Sequence, residues 1–224
     1  MNMKEFFDGL YNKPHMLKRL IMCFVSVTII GFCVYWLNLV NFGNDPCSTM
    51  NFGIIGKVHM TLGNWQALFN LFLFIIIFFI DKSGIGFGTV LNMFVVGYAN
   101  DFMAFIMKHY FPSFNIDNVS FGVRLAIMLV SIVIFIFVVA VYMAVDLGTA
   151  PYDAIPIIIA NKQSKVPFKI VRIIIDLTAT IIGFSLGQTV GVVTLIMAFT
   201  IGPAASAVKK PIARMVEDKE LQEC

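Results

Sequence analysis

The sequence predicts an all-α polytopic membrane protein with an internal duplication: six full spans plus two short broken or re-entrant helices. Three observations predict it. The 224 residues are 59% hydrophobic and 13% charged, with a mean hydropathy of +0.87; a soluble domain of this length carries about twice that charge fraction. Six apolar stretches are long enough to span about 30 Å of hydrocarbon at about 1.5 Å per residue. Polar and backbone-breaking residues recur at a constant offset of 105: Gly43 with Gly148, Pro46 with Pro151, Arg19 with Arg124, Lys57 with Lys162, Gly86 with Gly191, Thr89 with Thr194 and Gly97 with Gly202. Chance pairing of apolar runs is common, but aligned Gly, Pro, Thr, Lys and Arg are not.

The offset divides the chain into a cytoplasmic N-terminal segment (1–18), a first membrane repeat (19–103), a connector (104–123), a second repeat (124–208) and a cytoplasmic tail (209–224). Residues 1–18 lack a short apolar core followed by an A-x-A-like site, so a first span retained from about Leu20 is expected. The spans are placed at 20–40, 65–81, 86–107, 122–145, 168–186 and 188–208. Gly97 and Asn100–Asp101 interrupt the third, and the second and fifth are short.

Between the first two apolar stretches of each half lies a Gly-x-x-Pro element, NFGNDPCSTM at 41–50 and DLGTAPYDAI at 146–155. Glycine permits a sharp turn, and proline suits the first turn of a helix, where its missing N–H has no intrahelical partner. Asp45 before Pro46 is an N-cap candidate. Asp153, in the first turn after Pro151, complements the positive end of the helix dipole. The second element therefore predicts a short helix of about eleven residues ending at Asn161–Lys162. A helix start within the membrane presents free N–H groups to a carboxylate or phosphate; an ordinary turn between spans fits the same residues.

Two topologies follow. With the short pieces at the interface, each half has three spans, the repeat is inverted, and Lys and Arg divide thirteen inside to three outside (Lys57, Lys108 and Arg124). With each piece crossing, the repeat is parallel and the division is fifteen to one, with Lys82 outside. An extended Asn41–Pro46 followed by helix to Lys57 reaches roughly 33 Å. The charge balance favours the crossing, parallel version, and both versions place the two termini in the cytoplasm.

Polar residues inside apolar runs mark the candidate site. Asp176 lies in VRIIIDLTAT, with Arg172 four residues earlier on the same helical face. A charged pair at such depth is costly, roughly 2.5–3.5 kcal/mol per group on insertion scales, and is either a functional site or a clamp between helices. The equivalent positions in the first half are Ala67 and Leu71, so the pair exists once. Asp101 either lines the same cavity or caps the third span. Asn70 and Asn92 read as interhelical hydrogen-bonding amides. The candidate substrate-binding residues are Arg172, Asp176, Asp153, Tyr152, Gly148, Pro151, Asp45, Pro46 and Asp101.

Four cysteines (Cys23, Cys33, Cys47, Cys224) show no C-x-x-C spacing, and His15, His59 and His109 are scattered, so no metal site and no cofactor are expected. There is no H-E-x-x-H, Walker loop or G-x-S-x-G, and an enzyme is not expected. The net charge of +3 forms no basic face for nucleic acid. The expected partners are the lipid bilayer and a small solute; a homodimer stays open.

The stretches LGTAPYDAI and VPFKIVRIIIDLTATIIGFSLGQTVGVVTLIMAFTIGP resemble the second half of the YczE/YyaS/YitT-type bacterial integral membrane proteins. FGNDPCSTM through IGFGTVLNMFVVGYANDF resembles the matching first half, with Cys47–Ser48 departing from the aromatic and polar or acidic pair expected there. The resemblance covers about residues 19–208. It carries over Gly148, Pro151, Asp153, Arg172, Asp176, Gly191, Thr194, Gly202 and Pro203, with Gly43, Pro46, Gly86, Gly88, Thr89, Gly97 and Asp101 in the first half. It implies this fold and a bacterial cytoplasmic-membrane location far more than a substrate.

The functional expectation is a small secondary transporter binding an anionic or zwitterionic solute between two repeats. Arg172 would hold the anionic group, and Asp176 or Asp101 would carry a coupling proton. The alternatives are a substrate-capturing membrane subunit of a larger energised transporter, or a non-transporting regulator or scaffold.

Overall fold

A computed structural model describes residues 13, 15–163 and 166–200. The chain is helical, with no strand among the described residues. The helices are α1 (Met16–Val40), α2 (Pro46–Val58), α3 (Leu62–Ile80), α4 (Phe87–Tyr110), α5 (Phe121–Ala144), α6 (Pro151–Lys162), α7 (Phe168–Ser185) and α8, described over 192–200. Among the described residues, four helices are long and apolar enough to cross a membrane: α1, α3, α4 and α5. This is the pattern of an integral membrane protein, and it fits the exposure of large apolar side chains such as Phe79, Phe105, Val133 and Phe137. The expected fifth span is α7, an 18-residue helix that carries Lys169, Arg172 and Asp176. The sixth expected stretch forms α8 as far as 200. Gly202, Pro203 and the tail at 209–224 lie outside the described residues.

The third apolar stretch is not interrupted. α4 runs through Gly97 and Asn100–Asp101 without a break. Gly97 lies where α4 touches α3, so close that a Cβ would sit 2.7 Å from the Gly63 Cα, and the Asp101 carboxylate accepts the Gly63 N–H at 2.8 Å. The residues read as breakers are the contact surface between two helices.

α1 is the centre of the bundle. Cys23, Val27, Val34, Leu37 and Val40 are buried between α4 and α5. Gly31 allows the closest approach, since a Cβ there would run into the Val96 carbonyl of α4. Reciprocal bonds fix the direction of α5: Arg19 donates to the Val145 carbonyl at 2.7 Å, and Arg124 donates to the Val40 carbonyl at 2.8 Å. Each arginine near one helix start satisfies a carbonyl left open at the other helix end. Lys13 also pairs with Asp146 at 2.7 Å. α1 and α5 are therefore antiparallel. The parallel arrangement favoured by the charge balance needs 19–40 and 124–145 to point the same way, so it does not hold. One of the charges used in that count, Arg124, is bound to the Val40 carbonyl.

Neither Gly-x-x-Pro piece continues outward from the helix before it. After α1 the chain turns through left-handed Asn41 (φ 59°) and Gly43 (φ 100°), and Asn44 Nδ2 then donates to the Val34 carbonyl at 3.1 Å. Val34 lies six residues before the end of α1, about 9 Å back along its axis. α2 thus begins inside the bundle. After α5, left-handed Asp146 (φ 55°) and Gly148 (φ 104°) make the corresponding turn. The Leu147 carbonyl accepts the Gly88 N–H at 2.7 Å, and the Thr149 N–H donates to the Gly84 carbonyl at 3.0 Å. The Phe42 carbonyl accepts the Val193 N–H at 3.4 Å. Positions 105 apart therefore make matching contacts: Phe42–Gly43 against 191–194, and Leu147–Gly148 against 86–89. With 13 and 12 residues, α2 and α6 are about 20 and 18 Å long, short of a full hydrocarbon crossing.

Candidate functional site

The starts of α2 and α6 open onto one cavity of about 90 Å³. At the start of α2, Asp45 caps the helix, its carboxylate accepting the Ser48 N–H at 3.0 and 3.3 Å, as the sequence predicts. Pro46, Cys47 and Ser48 follow it along the cavity wall. At the start of α6, Ala150 offers no side-chain cap, and Tyr152 and Asp153 reach the cavity. α6 runs to Lys162 as expected.

Arg172 joins α6 to α7. Its Nη1 donates to Asp153 at 2.5 Å and its Nε to Asp176 at 2.9 Å. Asp176, 4% exposed, also accepts the Tyr152 hydroxyl at 2.9 Å, and the guanidinium stands 5.6 Å from the centre of the Tyr152 ring. The predicted i, i+4 pair is thus one side of a four-residue network. Apolar residues of α1 and α5 (Ile30, Val34, Phe135 and Val139) close the other side of the cavity.

Of the nine candidate residues, Asp45, Pro46, Tyr152, Asp153 and Arg172 line the cavity, and Asp176 is bonded to two of them. Three do not line it. Pro151 is buried and begins α6. Gly148 packs on α4, where a Cβ would sit 2.6 Å from Thr89 Oγ1. Asp101 holds the start of α3 through the Gly63 N–H, a neighbouring helix rather than the cavity or the end of its own span.

The sequence reading missed Gln66 and gave Asn70 and Asn92 a different role. Gln66 and Asn70 on α3 and Asn92 on α4 line the cavity. Gln66 and Asn70 are 9% and 4% exposed, and among the described residues no hydrogen bond ties either side-chain amide to a neighbouring helix. The structure places Asn70 and Asn92, expected as interhelical ties, at the cavity wall. The signal was present in their spacing: 66 and 70 are one turn apart and face the same way. Cys23 and Cys33 are packed in the apolar core. Among the described residues no group of three or more His, Cys, Asp or Glu side chains could hold a metal ion.

No solved structure matches the chain. It is 23% identical over 198 residues to an uncharacterized protein of Haemophilus influenzae (strain Rd), which covers 88% of this chain and 86% of the relative. The YczE/YyaS/YitT name is carried by neither this relative nor the matching family. That family's sequence pattern covers residues 17–210, all but the two ends, and the chain therefore belongs to DUF6198, a family of unknown function.

Proposed function

We propose that the protein is a small secondary transporter of the bacterial cytoplasmic membrane, built from two inverted repeats (19–103 and 124–208) with a solute site between them. The observation that carries this reading is the convergence of two short helices on one polar cavity. They start at equivalent positions, inside an apolar bundle. Irregular backbone at membrane depth is tolerated where it is enclosed by protein or lines a water-filled cavity, and discontinuous helices at a repeat interface suit alternating access. The antiparallel α1 and α5, with their reciprocal arginine bonds, support inversion over parallel duplication. The reading gives each half three spans and one re-entrant helix, with both termini in the cytoplasm. The YczE/YyaS/YitT resemblance implies the same location.

In this conformation Arg172 holds two carboxylates, so an anionic group on Arg172 would have to displace one of them. Asp176 is the coupling carboxylate. Proteoliposome uptake under an imposed pH gradient tests the role: Asp176→Asn abolishes the pH dependence of uptake while the protein stays folded, and unchanged uptake removes Asp176 from the mechanism. Topology has its own test. A cysteine at position 57 reacts with an impermeant thiol reagent from outside the cell and one at 82 from the cytoplasm; the opposite result removes the inverted arrangement.

A further inference from the structure

We infer that the cavity binds a small cation of the ammonium class, with Asp45 as the carboxylate that receives it. The inference rests on reading the cavity as a solute site and names the solute's charge.

The charge count comes first. Three carboxylates (Asp45, Asp153 and Asp176) and one guanidinium (Arg172) line the cavity or are bonded to its wall. Two helix starts add about half a positive charge each. About one negative charge is left over, in surroundings of low polarity where an uncompensated charge is expensive. Arg172 is shared between Asp153 and Asp176, and no other Lys or Arg among the described residues lines the cavity. Asp45 is the carboxylate without a cation; its partner is the Ser48 N–H.

The amides are an independent observation. Gln66 and Asn70 are 9% and 4% exposed and stand at the cavity wall, where a bound ligand would meet their amides, and a hydrogen bond to a charged group is worth more than one between neutral groups. Their carbonyl oxygens are acceptors. An ammonium brings up to three donors and one positive charge, which suits one carboxylate and two amide oxygens. An anion would meet the Asp45 charge and find no free cation. Ile30, Val34, Phe135 and Val139 would cover an alkyl body. The volume limits that body: an apolar cavity of about 150 Å³ holds a benzene molecule, so about 90 Å³ suits a solute of only a few heavy atoms.

The test uses the full chain purified in detergent. Thermal unfolding is followed with methylammonium, ethylammonium and guanidinium chlorides, and with sodium acetate and phosphate at matched ionic strength. Asp45→Asn is the key variant, because asparagine caps a helix as well as aspartate does while lacking the charge. The organic cations raise the unfolding temperature of the wild type, and Asp45→Asn needs at least about tenfold more of them for the same rise, as expected for losing a hydrogen bond to a charged group. Asn70→Leu weakens the response as well and serves if Asp45→Asn does not fold. Three results overturn the inference: no response to any of the cations, a cation response unchanged in both variants, or stabilisation by acetate or phosphate that disappears in Arg172→Lys. Uptake of the same compounds into proteoliposomes separates the two proposals. Cation binding without uptake supports this inference and removes the transporter reading; uptake of an anion with no cation response overturns this inference and leaves the transporter standing.

Discussion

The two Gly-x-x-Pro turns share a backbone and differ in what their side chains are used for. In 41–48 the chain closes on itself: Asn44 bonds back to Val34, Asp45 caps α2, and Thr49 Oγ1 donates to the Asn44 carbonyl at 3.3 Å. α2 is then held against α7, where a Cβ on Gly183 would sit 2.6 Å from the Thr49 carbonyl. In 146–153 the start of α6 has no side-chain cap, and Tyr152 and Asp153 are turned outward to Asp176 and Arg172. Where the second turn has Tyr152 and Asp153, the first has Cys47 and Ser48, and α3 has Ala67 and Leu71 at the positions equivalent to Arg172 and Asp176. The same backbone carries a fixed element in one half and a charged network in the other. The turn geometry is what both sequences keep, and the side chains are free to diverge once glycine and proline have set it.

The largest test of this contrast is Arg172→Met. It leaves Asp176 buried with only Tyr152 as a side-chain partner and strands Asp153, and removing one member of a buried ion pair costs about 3–5 kcal/mol. Denaturant unfolding in detergent should register that loss. The double variant Arg172→Met with Asp176→Leu should recover much of it. At position 71, the half-exposed first-half equivalent of Asp176, Leu71→Ala should change stability by less than about 1 kcal/mol. A cost at position 71 as large as that of breaking the Arg172–Asp176 pair would show that the two halves have not diverged in the way the hydrogen bonds indicate.

A matched pair comes next, where the halves should behave alike. A Cβ on Gly86 would run into the Leu147 carbonyl, and one on Gly191 into the Phe42 carbonyl. Both obstacles are backbone, so neither can swing aside. Gly86→Ala and Gly191→Ala should each cost about 2–3 kcal/mol, and their thermal shifts should agree closely. A large disagreement would count against an equivalent packing role for the two contacts.

These contacts show which parts of the molecule the sequence discloses. Gly43, Pro46, Gly148 and Pro151 mark the two turns, because few other residues adopt those backbone angles or start a helix as well. Asp45 as a cap and the Arg172–Asp176 pair follow from local spacing. The relative direction of α1 and α5 does not, because an offset in sequence relates two helices without orienting them. The orientation is visible only in long-range bonds such as Arg19 to Val145. Charge counting misled for the same reason: it treated Arg124 as a signal at the membrane surface, whereas its guanidinium closes the end of α1. Gln66 and Asn70 were hidden differently. A polar residue in an apolar helix has the same local signature whether it faces a neighbouring helix or a cavity.

The cap difference predicts smaller and opposite effects. Asp45→Ala should destabilise by about 1 kcal/mol through loss of the Ser48 bond. Ala150→Ser supplies the missing cap to α6 and should stabilise by a few tenths to about 1 kcal/mol. Paired thermal melts of the two variants suffice. A gain from a serine at 150 would confirm that the second turn gives up local stability, and a loss would show that its backbone N–H groups are already occupied.

The smallest effect concerns the next pair of equivalent turns, after α3 and after α7. The first is held by the Asp81 carboxylate, which accepts the Ser83 N–H at 3.0 Å. The second is held by backbone, with Gly187 left-handed (φ 96°) and the Gln188 N–H bonded to the Gly183 carbonyl at 3.0 Å. The Ser83 bonds hold the Asp81 carboxyl below its ordinary value. A carboxylate with a lowered folded-state value stabilises its turn at pH above the ordinary carboxylate range, about 4, and that contribution disappears as the pH falls through the lowered value. The group is partly exposed, so solvent screening keeps the effect small. In an amide NMR titration the Ser83 signal should therefore move with a midpoint below that of an ordinary aspartate, while the Gln188 signal stays still. A Gln188 signal that moved with the same midpoint would mean that the two turns are coupled through the packing between them, and the contrast between a side-chain lock and a backbone lock would fail.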